Sequence, residues 1–453
     1  MRTTLLALSA TLVFAGRAEP QTERPFGTLR EQAATQQAWL ARRLETVLPA
    51  VMRKYGVDMW VMPMREYNED PVFTSMVSPT TFAARRRTIY VFYDRGPAAG
   101  IERLALGGSN QGGLYQAFRS QKAISGSAGV AGNTAELWGA QQWQLLKELI
   151  ETRKPVKIAV NTSETWAFAD GLSSGERQRM LAALGAEWAG RVVPAEGLAV
   201  DFIASRIPEE EVFYRDLQKL VWKLIDEMYS NRTIKPGVTR TSDLVWWWRQ
   251  RVNDLGLGTW FQPSIEVQRK GVTEAALGDD PVIERGDVLH CDVGITALRL
   301  NTDTQHMAYV LRDGETAAPA GLAHALKNSN RLQDLLFEEV RLGRSGNGVL
   351  AAVLGRMKGE GLNGTMYSHP IGIHGHGAGT LIGLWDYQEG VPGRGDLPII
   401  PDMWFSSELQ VTTPVPEWNN QPVRMAQEED FFVGANGKPR WAHQRQDRLW
   451  LVR

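Results

Sequence analysis

Four apolar runs in the second half of this chain each carry an acid that an ordinary strand has no reason to bury. They are "DVLHCDVG" (287–294), "DTQHMAYVL" (303–311), "MWFSSELQV" (403–411) and "EEDFFV" (428–433). In the first, alternation puts Val288, His290 and Asp292 on one face and Leu289, Cys291 and Val293 on the other. A carboxylate buried without a partner is costly. If the first two runs form a hairpin, Asp303 comes beside Asp292, and two adjacent buried carboxylates repel unless they share a proton or a cation. For that pair alone, a hairpin with solvent-facing acids accounts for the pattern equally well. Glu408, between apolar neighbours, and an acid at the mouth of "EEDFFV" repeat the anomaly in two further strands, which argues for convergence on one site. Several acids with one imidazole make an oxygen-rich ligand set suited to Mn²⁺, Co²⁺ or Zn²⁺, and to two ions where carboxylates bridge. Imidazoles are at hand in "HPIGIHGHGAGTLIGLWD" (369–386), where His369, His374 and His376 are three of the chain's seven histidines.

A length of 453 residues exceeds one ordinary core and predicts at least two domains. The net charge of −1, with no clustered basic segment, gives a nucleic-acid or anionic-membrane partner no electrostatic support. Arg85–Arg87 is the one short basic run and reads as a solvated strand entry. At the start, Arg2, the uncharged apolar stretch Thr3–Gly16 and the small residues of Gly16-Arg17-Ala18 have the form of an export leader. We therefore expect a leader over 1–18, a periplasmic or secreted mature protein, and no membrane association after cleavage. Cys291 is the single cysteine, so no disulfide forms within the chain, and its apolar strand predicts a buried, inert thiol.

Residues 27–205 read as one α/β unit. A long helical pattern over Leu29–Lys54 precedes strand-like "VDMWVM" (57–62) and "TIYVFY" (88–93), then a helix over Gln141–Arg153 and the strand "VKIAVN" (156–161). No phosphate loop or acid–base set occurs there, which suggests a gating or oligomerisation role. The boundary falls near "SRIPEEE" (205–211), where Pro208 and three glutamates open a helix. A second amphipathic helix, Thr241–Leu255, carries "WWW" at 246–248, which cannot share one face. Helices at 319–341 and 349–358 interrupt the strands that follow.

The order Asp292-x10-Asp303, a Gly-His-Gly-x-Gly turn at 375–379, Glu408, then Glu428 resembles the pita-bread metallopeptidases of family M24, the group of methionine aminopeptidase, aminopeptidase P and prolidase. The resemblance covers 206–453 by motif, and 27–205 is similar to the creatinase-type domain that precedes it in aminopeptidase P and prolidase. It implies an α+β chain with a C-terminal pita-bread fold behind an α/β creatinase-like domain. It implies two divalent metal ions, with Mn expected and Zn or Co as alternatives. Asp292 would chelate one ion, Asp303 and Glu428 would bridge both, and His376 and Glu408 would complete the other. Glu428 is preferred over Glu429 by alignment with the family's strand, and Glu408 would also take the proton of the nucleophilic water. The implied activity is cleavage of short peptides of the Xaa-Pro type, as an aminopeptidase or dipeptidase; homodimers are the family analogy.

Departures from the family pattern keep two alternatives open, a hydrolase of a non-peptide amide or related bond, and a non-catalytic binding protein. Histidines that the family places before the ligand histidine and after the loop are here Gly372 and Trp385, and residues 256–289 hold none. His369 and His374 are the expected substitutes, as groups that donate to an oxyanion or carry a proton. His290 shares the Asp292 face and can orient that carboxylate, whereas His306 points away from Asp303. Trp385, Trp404 and Trp418 can form an apolar wall for a proline ring, and Arg394, in the Gly/Pro-rich insertion 387–398, can meet a substrate carboxylate.

Overall fold

The computed structural model describes residues 24–119, 137 and 139–453; the expected leader over 1–18 lies outside the described residues. The chain opens with a helix over Leu29–Lys54, started by a capping box in which Thr28 and Glu31 exchange hydrogen bonds. Its apolar side covers a six-stranded mixed sheet, and helices Ala140–Arg153 and Ser174–Ala189 cover the other side. In spatial order the strands are Gln116–Phe118, Ile101–Leu106, Arg87–Asp94, Met59–Arg65, Ile158–Val160 and Val192–Pro194. One expectation fails here. Arg87 is not solvated: it is buried, donates to Glu176 at 2.6 and 3.0 Å and lies over the Trp143 ring, because the strand runs inward one residue earlier than the basic run suggests. Arg85 and Arg86 are exposed.

After Ala204 the chain turns through Ser205–Ile207 into the helix Pro208–Met228, with proline in its first turn. The helix Thr241–Asp254 follows, burying Trp248 and leaving Trp246 exposed. These two helices pack on one face of an eight-stranded, largely antiparallel sheet, and helices Ala320–Glu339 and Gly346–Gly359 cover the other. Alternation decides which residue goes where. Leu289, Cys291, Val293 and Ala308 join the core with the first pair, while Val288, Met307 and Tyr309 join Leu322 and Leu326 of the third helix. Cys291 is fully buried, and burial pushes its thiol up to about 12.

Six strands of this sheet lie side by side in the order Gly364–Pro370, Met403–Val415, Gln421–Val433, Thr304–Val310, Val288–Val293 and Ser264–Gln268. Among the described residues no helix is long and apolar enough to cross a membrane.

Candidate metal centre

Strand register alone lines up the chemistry. Tyr367 pairs with Glu408, Glu408 with Glu428, Glu428 with Gln305, Gln305 with Asp292 and Asp292 with Ser264. Cross-strand partners share a face, so one row of side chains crosses all six strands. Two residues further along each strand lies a second row: His369 opposite Ser406, and Ser406 opposite Asp430, whose carboxylate accepts from the backbone N–H of Asp303 at 3.2 Å. Asp303 does not lie within a strand as expected. It ends the turn before Thr304–Val310, which frees its carboxylate to lean over the first row.

The structure brings Asp292, Asp303, Glu408 and Glu428 together with His369. Ligand atoms of Asp292, Asp303 and Glu428 lie within 4.8 Å of one another, as do those of His369, Glu408 and Glu428. Asp303, His369 and His376 form a third such group, so Asp303, His369 and Glu428 each belong to two of the three. His369 Nε2 stands 3.4 Å from Glu428 and 3.6 Å from Asp303. His376 meets the cluster only through Asp303 and His369, with its ring edge-on to that of His369 at 4.7 Å. The imidazole beside Glu408 and Glu428 is thus that of His369, at the end of a strand, while the Gly-His-Gly turn sets His376 at the rim. Alternation in "TMYSHP" carries this signal, since it puts His369 on the face of Tyr367.

His374 stays outside the cluster. Its ring lies against Phe168 of the N-terminal region at 4.7 Å, because the loop reverses it away from the acids. The glycines make that path possible: Gly372 has φ of +145°, and a Cβ on Gly375 would meet the Trp260 ring at 2.3 Å. Glu429 faces the other side of the sheet and accepts from His306.

The electrostatics are those of an acid-rich pocket short of cations. Burial first, and then neighbouring carboxylates, hold Asp292 and Asp303 well above the usual range. Burial likewise raises Glu408 from 4.5 to about 7, with Glu428 adding to it, and lifts Glu428 to about 7. Burial lowers His369, and lowers His376 to about 4 with help from His369 and Arg394, so both imidazoles are neutral near pH 7. Among the candidate ligands, three buried polar atoms have no hydrogen-bond partner: Asp292 Oδ1, Asp303 Oδ1 and His369 Nε2. Four carboxylates and a neutral imidazole with orphaned atoms turned together fit a divalent cation, which supplies the missing positive charge.

Residues the sequence did not flag complete the site. Gln305 donates to Glu408 at 2.6 Å and to Glu428 at 2.8 Å, Tyr367 hydrogen-bonds Glu408, and Ser406 donates to Glu428 at 2.7 Å. Behind them Asp430 accepts from Tyr214 at 2.7 Å and from Gln218. A cavity of about 180 Å³ opens on Glu408 and is lined by Gln305, Tyr367, Trp385 and Arg424. Trp385 is exposed there. The expected apolar wall of three tryptophans does not form: Trp404 and Trp418 are buried in two separate cores.

Residues 213–435 match the family model described as Metallopeptidase family M24. No curated protein matches the chain. Among solved structures, the X-Pro aminopeptidase of Thermotoga maritima is similar over 89% of this chain and 100% of its own, at 15% identity and a TM-score of 0.59. A dipeptidase of Pyrococcus horikoshii aligns with 91% of this chain and 100% of its own, at 17% identity and a TM-score of 0.55. The N-terminal domain of the FACT complex subunit SPT16 from chickpea has the same fold, over 93% of this chain and 99% of its own, at 12% identity and a TM-score of 0.54. The fold is that of the pita-bread proteins with their N-terminal domain.

Proposed function

Because residues 213–435 belong to metallopeptidase family M24, making the chain a metal-dependent peptidase, we propose that it is an exported aminopeptidase or dipeptidase of the Xaa-Pro type. The observation that carries this reading is the convergence of Asp292, Asp303, His369, Glu408 and Glu428 beside a small cavity with an exposed tryptophan at its rim. We assign two divalent ions, with Mn expected and Zn or Co as alternatives. Asp292, Asp303 and Glu428 would hold one; His369, Glu408 and Glu428 would hold the other. His369 takes the ligand place that the Gly-His-Gly turn suggested for His376.

Bound there, the ions supply Lewis acidity at the scissile carbonyl and lower the pKa of water to near neutral. The chain's own residues do the rest. Glu408 receives the proton of the attacking water; Gln305 and Tyr367 fix its carboxylate for that task. His376, neutral and at the rim, is placed to donate to the carbonyl oxygen as charge develops on it. Trp385 offers an apolar face to a pyrrolidine ring in the cavity above Glu408. Export is supported by the leader-like pattern over 1–18.

The test is a panel of short peptides, with and without proline second, incubated with purified mature protein and added Mn²⁺, Zn²⁺ or Co²⁺. Cleavage confined to Xaa-Pro bonds is expected. A metal-bound protein that cleaves no peptide and hydrolyses another amide would overturn the substrate assignment.

A further inference from the structure

Gln305 occupies the middle of the acidic row, directly opposite Asp292 on one side and Glu428 on the other. It is buried. Like charges facing each other across strands are destabilising, and Glu408 and Glu428 face each other here. A carboxamide has two N–H hydrogens and one oxygen, and this one uses all three. Nε2 donates to Glu408 Oε1 at 2.6 Å and to Glu428 Oε2 at 2.8 Å, while Oε1 faces His290 Nε2 at 3.0 Å. A flipped amide would turn its oxygen on two carboxylates, so the acids fix the orientation, and the oxygen so placed accepts from His290 Nε2 in the tautomer that carries the proton there. The other ring nitrogen of His290 faces Glu266 Oε2 at 3.2 Å, and Glu266 is itself paired with Arg424. The chain Arg424–Glu266–His290–Gln305 thus ends on two acids of the metal cluster.

We propose that Gln305, backed by His290, is the positioning residue that clamps Glu408 and Glu428 at a fixed spacing and leaves their other acceptor positions facing His369 and Asp303 for divalent ions. The clamp works without charge. A lysine or arginine in its place would neutralise the acids and compete with a cation, and a fifth acid would add to the repulsion. An amide relieves the opposition of the two glutamates while leaving the pocket anionic. This inference rests on the metal reading of the site.

The metal-free full chain, titrated with Co²⁺ and followed by heat and by visible absorbance, tests it. Wild type is expected to take up two ions. Gln305→Met keeps the length of the side chain and removes all three hydrogen bonds. It is expected to weaken the weaker ion about 10–100-fold, the usual cost of losing an outer partner of a metal ligand, and to change the Co²⁺ spectrum. His290→Leu, which removes the partner of the amide oxygen and leaves its two bonds to the acids, is expected to give a smaller shift in the same direction. Should Gln305→Met fail to fold, the isotherm of His290→Leu decides. Wild-type affinity and spectrum in every folded variant would overturn the inference alone; a wild type that binds no Co²⁺ would overturn the metal reading and this inference with it.

Discussion

Glu428 and Glu429 are chain neighbours, equally buried, and their surroundings are opposite in kind. On the Glu429 side the acid and its imidazole are both supplied with partners by the chain. Glu429 accepts from His306 at 2.8 Å and from the backbone of Gln446 at 2.9 Å, His306 accepts from Trp450 at 3.1 Å, and Trp222 closes over the imidazole edge-on. On the Glu428 side four acids meet donors too few to satisfy them, and Asp292 Oδ1, Asp303 Oδ1 and His369 Nε2 are left with none. Buried acids whose donors the chain provides are parts of the framework. Acids that it brings together without enough donors are arranged for something that arrives from outside.

The largest effect should separate these two glutamates. Glu428→Gln removes a carboxylate shared by the two ion positions proposed above, so metal retention and peptidase activity should fall by well over about a hundredfold, more than the loss of an outer partner costs. Glu429→Gln should keep full metal content and lose about 1–3 kcal/mol of stability through its bond to His306, read as a lower melting temperature. Metal content measured on both variants checks this; equal loss in the two would break the comparison.

Next in size is the pH dependence of the metal-free protein. Glu408 and Glu428 stand at about 7 in the fold against an ordinary 4.5, so folding favours their protonated forms. That contribution to stability is complete below about pH 4.5 and is lost as pH rises through about 7. Melting temperatures in chelator should therefore fall between pH 5 and 8, and saturating Mn²⁺ should abolish the fall, because cation binding favours the ionised carboxylates. A metal-free protein as stable at pH 8 as at pH 5 would contradict the uncompensated burial inferred on the Glu428 side.

What could be read from the amino-acid order follows the same division. Asp292, Glu408 and Glu428 stood out because an acid in an apolar strand has few explanations, and period-two alternation separates neighbours such as Glu428 and Glu429. Leu29–Lys54 was legible because its helical spacing of apolar residues is a local signal. Gln305 was invisible, since a neutral amide in a strand signals nothing until register sets it between two acids. His369 was overshadowed by the glycine-flanked His376; only pairing with Met403–Val415 shows that the strand end reaches the acids. Arg87 looked solvated because its partner Glu176 lies 89 positions away. Local order encodes periodicity and caps, whereas the partner of a buried polar group is a tertiary fact.

The smallest expected effect sharpens the comparison at the open end of the acidic row. Trp385→Ala should raise KM for an Xaa-Pro peptide about tenfold, the scale of one lost apolar contact, and leave kcat nearly unchanged. Trp404→Phe, in the buried core, should leave KM alone and register only in stability. Steady-state kinetics on the two variants distinguish a substrate face from a core residue.

The central claim is that the acids beside Glu428 meet to hold divalent cations. Elemental analysis of the purified full chain tests it most directly. About two Mn, Zn or Co ions per chain in wild type and in Glu429→Gln, with little or none in Glu428→Gln, is the predicted result. A wild-type protein that emerges without transition metal, and takes none up when Mn²⁺, Zn²⁺ and Co²⁺ are offered, would contradict it.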